Sequence, residues 1–211
     1  MPTKDRISEL PDEIIVRILS FIPTKQVITS TTLLSKRWRF LWYSLPSLLF
    51  HYDGNYDRSP WFTDLIATTL MFNNAKTLEK FSVKFEFWYY RLNCHSTVNT
   101  WLRYVTMKSV KELDIDLTSS SDKKYCLPPS IFDNDIFEVL RFKGCLFKLF
   151  PKAVSWGSLR LLTVIGSESF SRDNVRVILS GSPQIRSMDF IDCFDSNRSR
   201  MVDYHYEIIR R

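Results

Sequence analysis

Residues 5–42 read DRISELPDEIIVRILSFIPTKQVITSTTLLSKRWRFLW. Pro11 suits the first turn of a helix, where its missing amide hydrogen costs nothing, and Asp12 and Glu13 complement the positive helix end. Ser8 and Asp12 are both eligible to cap that helix. Ile14, Ile15, Ile18, Leu19 and Ile22 recur at helical spacing, a stripe broad enough to touch two neighbours. Pro23 is expected to stop the helix, because the residue before a proline is pushed out of the helical region, and Thr24 to cap the next one. That second element holds Val27, Ile28 and a Thr/Ser run, a moderate helix former because β-branched side chains are stiff. After Leu33 and Leu34, Ser35 is expected to cap a third helix through Lys36, Arg37, Trp38, Arg39, Leu41 and Trp42. Helices this short and few cannot bury all their apolar faces alone, so the unit requires a partner.

Downstream, five segments place apolar residues at positions one, four and six, as in a leucine-rich repeat: LEKFSVKF from Leu78, VKELDIDL from Val110, FEVLRFKGC from Phe137, LRLLTVIGS from Leu159 and IRSMDFIDC from Ile185. Their start-to-start intervals are 32, 27, 22 and 26 residues, against roughly 20–29 for such repeats, so the first interval carries an insertion. Alternation within each unit predicts a strand with one buried face. Leu113 with Ile115, Leu140 with Phe142, Leu162 with Val164, and Met188 with Phe190 are expected to stack in one parallel sheet. Cys145 and Cys193 fall at the turn off the strand and read as structural thiols.

Parallel neighbours need crossover connections, and three helical stretches supply them. Residues 96–109 put Val98, Trp101, Leu102 and Val105 on one face. Residues 171–180 put Val175, Ile178 and Leu179 likewise, with Asp173 near the positive end and Gly181, Ser182 and Pro183 closing the segment. Residues 61–73 turn Phe62, Leu65, Ile66 and Leu70 inward. Residues 119–124 read as a polar loop, 127–129 as extended chain and 51–60 as a linker. Residues 201–211 are eligible to form a modest cap.

The chain has 211 residues, net charge +6 and 45% hydrophobic content, ordinary for one large or two small folded domains. Five glycines argue against a Gly-rich phosphate-binding architecture. No apolar run approaches the roughly 20 residues a membrane span needs, and MPTKDRISEL lacks the apolar core of a secretory signal. Cys94, Cys126, Cys145 and Cys193 are spread apart, without a disulfide framework or zinc knuckle. The expected compartment is reducing, cytoplasm or nucleus.

Chemistry finds little support. His51, His95 and His205 lie far apart, outside any metal-ligand spacing, and no metal or other cofactor is indicated. Cys94 beside His95 suggests a thiol and base, but neighbours in an extended chain point to opposite faces and no third group follows. Asp114 and Asp116 are eligible as a paired carboxylate, though the solvated outer face of a strand explains them more simply. Lys36, Arg37 and Arg39 beside Trp38 and Trp42 superficially form a basic-aromatic patch. The other cations are scattered, which argues against nucleic-acid binding. No catalytic residue is assigned.

Taken in order, DRIS, LPDEII, ILSFIPTK and LSKRWRFLW resemble the F-box, by which substrate receptors join Skp–cullin–F-box ubiquitin ligases. Gln26–Leu33 is one residue longer than the family spacing, an insertion expected to bear on the middle helix and to rotate the third element. VNTWLRYVTMKSVKELDIDL, YCLPPSIFDNDIFEVLRFKGC and RVILSGSPQIRSMDF extend the resemblance to plant F-box/leucine-rich-repeat proteins of the FBD-like group. The resemblance implies an α+β (α/β repeat) chain: a three-helix F-box at 5–50, a short irregular leucine-rich-repeat solenoid with a parallel sheet at 61–193, and a tail or partial cap at 194–211. It implies that the F-box binds a Skp-type adaptor, and through it cullin, with Leu10, Pro11, Ile14, Ile18, Leu19, Ile22, Pro23, Leu34 and Trp38 as the contact set. Some of these residues must hold the three helices together instead. The repeats would hold an unknown target protein, and neither a membrane nor an enzymatic step is expected. The chain ends without an FBD segment, so the alternative is a truncated or decayed F-box protein that binds the adaptor without recruiting a target.

Overall fold

The computed structural model describes residues 6–31, 33–52, 59–85, 94–118, 124–148, 150–168, 170–194 and 204–208. The N-terminal unit contains α1 (Asp12–Leu19), α2 (Thr24–Thr31) and a 3₁₀-helix at Trp38–Ser44. The repeat part contains β1 (Ser47–His51), α3 (Ser59–Phe72), β2 (Lys80–Lys84), α4 (Cys94–Met107), β3 (Glu112–Asp116) and β4 (Tyr125–Cys126). A 3₁₀ turn at Pro129–Ile131 precedes β5 (Val139–Lys143), β6 (Cys145–Leu146), β7 (Leu161–Ile165), α5 (Arg172–Gly181), β8 (Ser187–Ile191) and β9 (Tyr204–Glu207).

The main sheet runs β1-β2-β3-β5-β7-β8-β9. All its pairings are parallel except β8 with β9, which is antiparallel. In-register pairing stacks Leu48, Phe81, Leu113, Leu140, Leu162 and Met188 in one inward row. A second row stacks Phe50, Val83, Ile115, Phe142, Val164 and Phe190. Every one of these side chains is buried. A fully buried side chain of this size contributes about 1.5–3 kcal/mol, so the two rows dominate the core. The buried thiols of Cys145 and Cys193 donate to the carbonyls of Lys143 and Val164, each at 3.6 Å, as structural cysteines should.

The crossover helices bury the expected faces: Phe62, Ile66 and Leu70 on α3; Val98, Trp101, Leu102 and Val105 on α4; Val175 and Ile178 on α5. Leu65 is half-buried and Leu179 faces solvent, each at the margin of its helix's apolar stripe. Ser171 caps α5 in a reciprocal capping box with Asn174. Gly181 closes the helix where a Cβ would stand 2.0 Å from the Val154 carbonyl oxygen, so no larger residue fits that approach.

Several local expectations change. The first helix ends at Leu19 rather than running to Pro23; Ser20, Phe21 and Ile22 form the connection, with the Ile22 amide on the Leu19 carbonyl at 3.1 Å. Neither Ser8 nor Asp12 caps it, because Pro11 occupies the cap without a side-chain bond. Thr24 lies inside α2, and its Oγ1 accepts the Leu49 amide of β1 at 2.7 Å instead of capping. The third element is 3₁₀, with the Arg39 amide on the Ser35 backbone carbonyl at 3.1 Å and no side-chain cap. The sheet begins before the first expected repeat: Leu45, Leu48 and Phe50 repeat the one-four-six spacing, so β1 starts inside the 5–50 segment and ends just past it. Pro128 is extended as expected, but Pro129 opens a 3₁₀ turn, Pro129–Ile131, since proline pre-sets the helical φ at a first turn. The antiparallel β9 closes an otherwise parallel sheet. Most of the expected linker 51–60 and polar loop 119–124 lies outside the described residues.

The N-terminal helices share one continuous core with the repeats, in which Ile15, Leu19, Val27, Trp38, Leu41 and Trp42 join Leu45, Leu48 and Phe50. The Asn73 side chain donates to the Leu45 carbonyl at 3.0 Å, the Asn74 amide donates to the Tyr43 carbonyl at 2.8 Å, and Tyr43 stacks on Phe72 at 5.8 Å. Part of the partner that the short helices require is therefore the first repeat itself.

Candidate interaction surfaces

Helix α1 divides its apolar stripe between two sides. Ile15 and Leu19, four apart, face the core, whereas Ile14 and Ile18 remain 49% and 47% exposed. A stripe wider than the core can cover leaves a solvent-facing apolar row on a helix fixed from behind. Of the other expected contact residues, Pro11, Pro23 and Leu34 face solvent, and Leu10 and Ile22 are half-buried. Leu19 and Trp38 are buried in the protein's own core. The indole N–H of Trp38 donates to Ser8 Oγ at 3.1 Å, which gives both side chains a structural task.

Ile7, Phe21, Leu33 and Phe40, outside the expected contact set, are also exposed; Phe21 reaches 71% and Leu33 85%. Phe21 was detectable as an aromatic residue just past the last buried helical position. Its ring receives the Arg17 guanidinium, 5.3 Å from its centroid.

Arg37 braces this surface. Its Nε donates to Asp12 Oδ1 at 2.7 Å, while its two terminal nitrogens donate to the carbonyls of Ser8 and Leu10, both at 2.5 Å. The 3₁₀ element thereby holds the chain entering α1. Arg17 pairs with Glu79 just before β2, and Lys25 lies over the Trp61 ring of α3 at 4.8 Å. Of the cations around Trp38, Arg37 thus braces the N-terminal unit from within, while Arg17 and Lys25 fix that unit to the repeats.

The outward face of the sheet is a ladder of opposite charges. Lys80 pairs with Glu112 at 3.3 Å and Lys143 with Asp116 at 3.3 Å. Asp114 accepts from Ser82 Oγ at 3.3 Å. Burial holds the Asp114 carboxyl above its ordinary value, against the opposing pull of Arg141, the Ser82 hydrogen bond and Lys80. Asp116 instead accepts from Thr118 Oγ1 at 2.6 Å. The two carboxylates are separate rungs of the ladder, each with its own partners.

Cys94 and His95 open α4 rather than lying in extended chain, since the helix starts two residues before the expected 96. The His95 ring lies 5.2 Å from Tyr125, and burial lowers its pKa. Burial pushes the Cys145 thiol up, away from the thiolate a nucleophile needs. Among the described residues no group of three or more His, Cys, Asp or Glu side chains is placed to hold a metal, and no helix is long and apolar enough to cross a membrane. A cleft of about 510 Å³ opens between α3 and α4, lined by Ala67, Leu70, Met71, Thr100, Trp101 and Tyr104 among others.

Comparison with known proteins follows the same division. The F-box domain family model matches residues 7–50, and the model described as FBD-associated F-box protein At5g56370, LRR repeats, matches residues 98–206. The chain is 29% identical to the Arabidopsis thaliana F-box/LRR-repeat protein At3g26922, over 88% of this chain and 59% of that protein. It is 33% identical to the F-box/FBD/LRR-repeat protein At2g04230 of the same plant, over 88% of this chain and 42% of that protein. It is 28% identical to the F-box/FBD/LRR-repeat protein At4g26340, over 98% of this chain and 48% of that one. The chain thus spans about half the length of the curated relatives it matches. No solved structure matches it.

Proposed function

The chain belongs to the plant F-box/FBD/LRR-repeat family, and from that premise we propose that it is a substrate receptor of a Skp–cullin–F-box ubiquitin ligase. The observation that carries this reading is the row of Ile14 and Ile18 on α1, exposed while Ile15 and Leu19 anchor the same helix from behind. Ile14, Ile18, Pro11 and Leu34 meet the Skp-type adaptor, and Leu10, Ile22 and Pro23 border the contact. Leu19 and Trp38 act from beneath by holding the helices in place. The repeats hold a target protein, in cytoplasm or nucleus, so that a charged conjugating enzyme brought through cullin reaches its lysines. The contribution of this chain is proximity, and no covalent step falls to it.

The test is capture of a Skp-type adaptor by the wild-type chain and by Ile14→Ala/Ile18→Ala/Leu34→Ala. Apolar anchors at a packed interface cost about 2 kcal/mol or more each when truncated. Since 1.4 kcal/mol is tenfold, capture should fall well beyond tenfold, while circular dichroism stays unchanged because these side chains are exposed in the free chain. Failure of the folded wild type to capture the adaptor would sink the receptor reading.

A further inference from the structure

The outward face of the sheet carries a gap in its charge ladder. Strand β7 turns Leu161, Thr163 and Ile165 outward, with no charged side chain among them. The register extends this neutral strip to Val139 on β5, opposite Leu161, and to Ile191 on β8, opposite Ile165. Ile191 is 39% exposed. A solvated sheet face ordinarily alternates toward polar residues, so an apolar strip on an interior strand is a departure.

The strip has a polarity. On its β5 side stand Arg141 and Lys143, in register with Thr163 and Ile165. On its other side stand Asp189 of β8, in register with Thr163, and Glu207 of β9, opposite Ser187. Arg141 and Lys143 are held from the far side by Glu112 at 4.0 Å and Asp116 at 3.3 Å. Such part-exposed pairs are weak, so both cations remain open to a stronger partner. Asp189 accepts from His205 at 2.5 Å. His205, whose pKa that hydrogen bond raises, withdraws its charge when it deprotonates.

We propose that this strip docks an extended segment of the target, crossing the strands with an acidic, an apolar and a basic side chain at alternate positions. The acid meets Arg141 and Lys143, the apolar side chain lies on Ile165 and Ile191, and the base meets Asp189 and Glu207. The spacing fits: side chains two apart on an extended segment stand about 7 Å apart, so acid to base spans about 13 Å. Strands spaced about 4.8 Å put β5 and β9 about 14 Å apart. The proposal rests on the receptor reading, whose adaptor surface is a different set of residues, on α1 rather than on the sheet.

Three synthetic peptides flanked by Gly and Ser test it: Glu-Thr-Leu-Thr-Lys, Glu-Thr-Leu-Thr-Glu and Lys-Thr-Leu-Thr-Lys. Each is titrated to millimolar against the ¹⁵N-labelled full chain, with amide shifts of Thr163 and Ile165 as the readout. The mixed peptide should bind about fivefold or more tighter than either like-charge peptide, and Ile165→Asp should abolish its shifts. Arg141→Glu/Lys143→Glu should switch the preference to the two-base peptide. Equal binding by all three peptides, no shifts with any, or indifference to Ile165→Asp would overturn the proposal. Adaptor capture by the same variants keeps the two readings apart. Failed peptide selectivity with intact capture removes the docking strip alone, whereas failed capture by wild type removes the receptor role.

Discussion

Asp114 shows how burial of a single side chain on the outward face of the sheet sets stability against charge. Burial holds its carboxyl above the ordinary value of 3.8, outweighing Arg141, the Ser82 hydrogen bond and Lys80. The folded chain therefore keeps the proton to higher pH than the unfolded chain does. The stability this proton supplies is fully present below pH 3.8 and is lost as pH rises through the raised folded value. At neutral pH the full cost of the buried charge is in force. Asp114→Asn removes that charge and keeps an oxygen for Ser82. Urea unfolding should find the variant more stable than wild type at pH 7, with the difference shrinking as pH falls toward 3.8. A variant less stable at pH 7 would show that the neighbouring cations outweigh burial. The sequence placed Asp114 and Asp116 on one strand face but could not assign their partners, which arrive from β2 and β5. Ser8 and Asp12 were misread for the same reason. Local sequence offers them as caps, whereas their partners Trp38 and Arg37 lie 30 and 25 residues further along the chain.

At the scale of elements, what was legible was what repeats or is amphipathic. Helices α3, α4 and α5 bury their expected stripes except at the margins, Leu65 and Leu179, because each packs one face on the core, and the inward strand rows follow from simple alternation. The 3₁₀ form of Trp38–Ser44 was not legible, because tertiary packing of Trp38, Leu41 and Trp42 sets its course rather than helix propensity. Strand β1 was hidden inside the segment that reads as helical, and only its pairing to β2 reveals it as the first repeat. The apolar stripe of α1 was legible from Ile14 to Leu19, though not the helix end before Ile22, and its division between core and solvent was not, since that depends on where Trp38 and Val27 sit. The clasp between the 3₁₀-helix and the entry to α1 tests this geometry. Arg37→Ala removes bonds to Asp12, Ser8 and Leu10 at once. Exposed ion pairs contribute little, but two backbone carbonyls also lose a charged donor. The expected loss is about 1–2 kcal/mol, with faster amide exchange at residues 7–10 and none at α5. Arg37→Lys should rescue poorly, because an ammonium cannot reproduce the guanidinium fork. Unchanged exchange at residues 7–10 would remove the clasp from the account.

Across the whole molecule, the core holds the exposed face of α1 and the outward face of the sheet in a fixed relation, which the proposed receptor role requires. Buried side chains run without a break from Ile15 through Trp42, Leu45 and Leu48 to Phe190 and Cys193. Thr24 and Leu49, Asn73 and Leu45, and Asn74 and Tyr43 bond directly across the junction. In a long solenoid each repeat feels only its neighbours and the ends fray independently. Here the N-terminal helices take the place of a cap on β1, and the antiparallel β9 pairs with β8 at the other end of the described sheet. Cooperative unfolding of both parts together is the expected consequence. Hydrogen exchange in rising urea should open amides of α1 and of β5 at one denaturant concentration. Leu48→Ala, cut from the junction, should cost about 2–5 kcal/mol and lower both openings equally. If α1 instead opened first, with β5 unmoved, the helices would be a separately docked module. The spacing between the α1 face and the sheet face would then be set by a hinge between Ser44 and Ser47 rather than by the core.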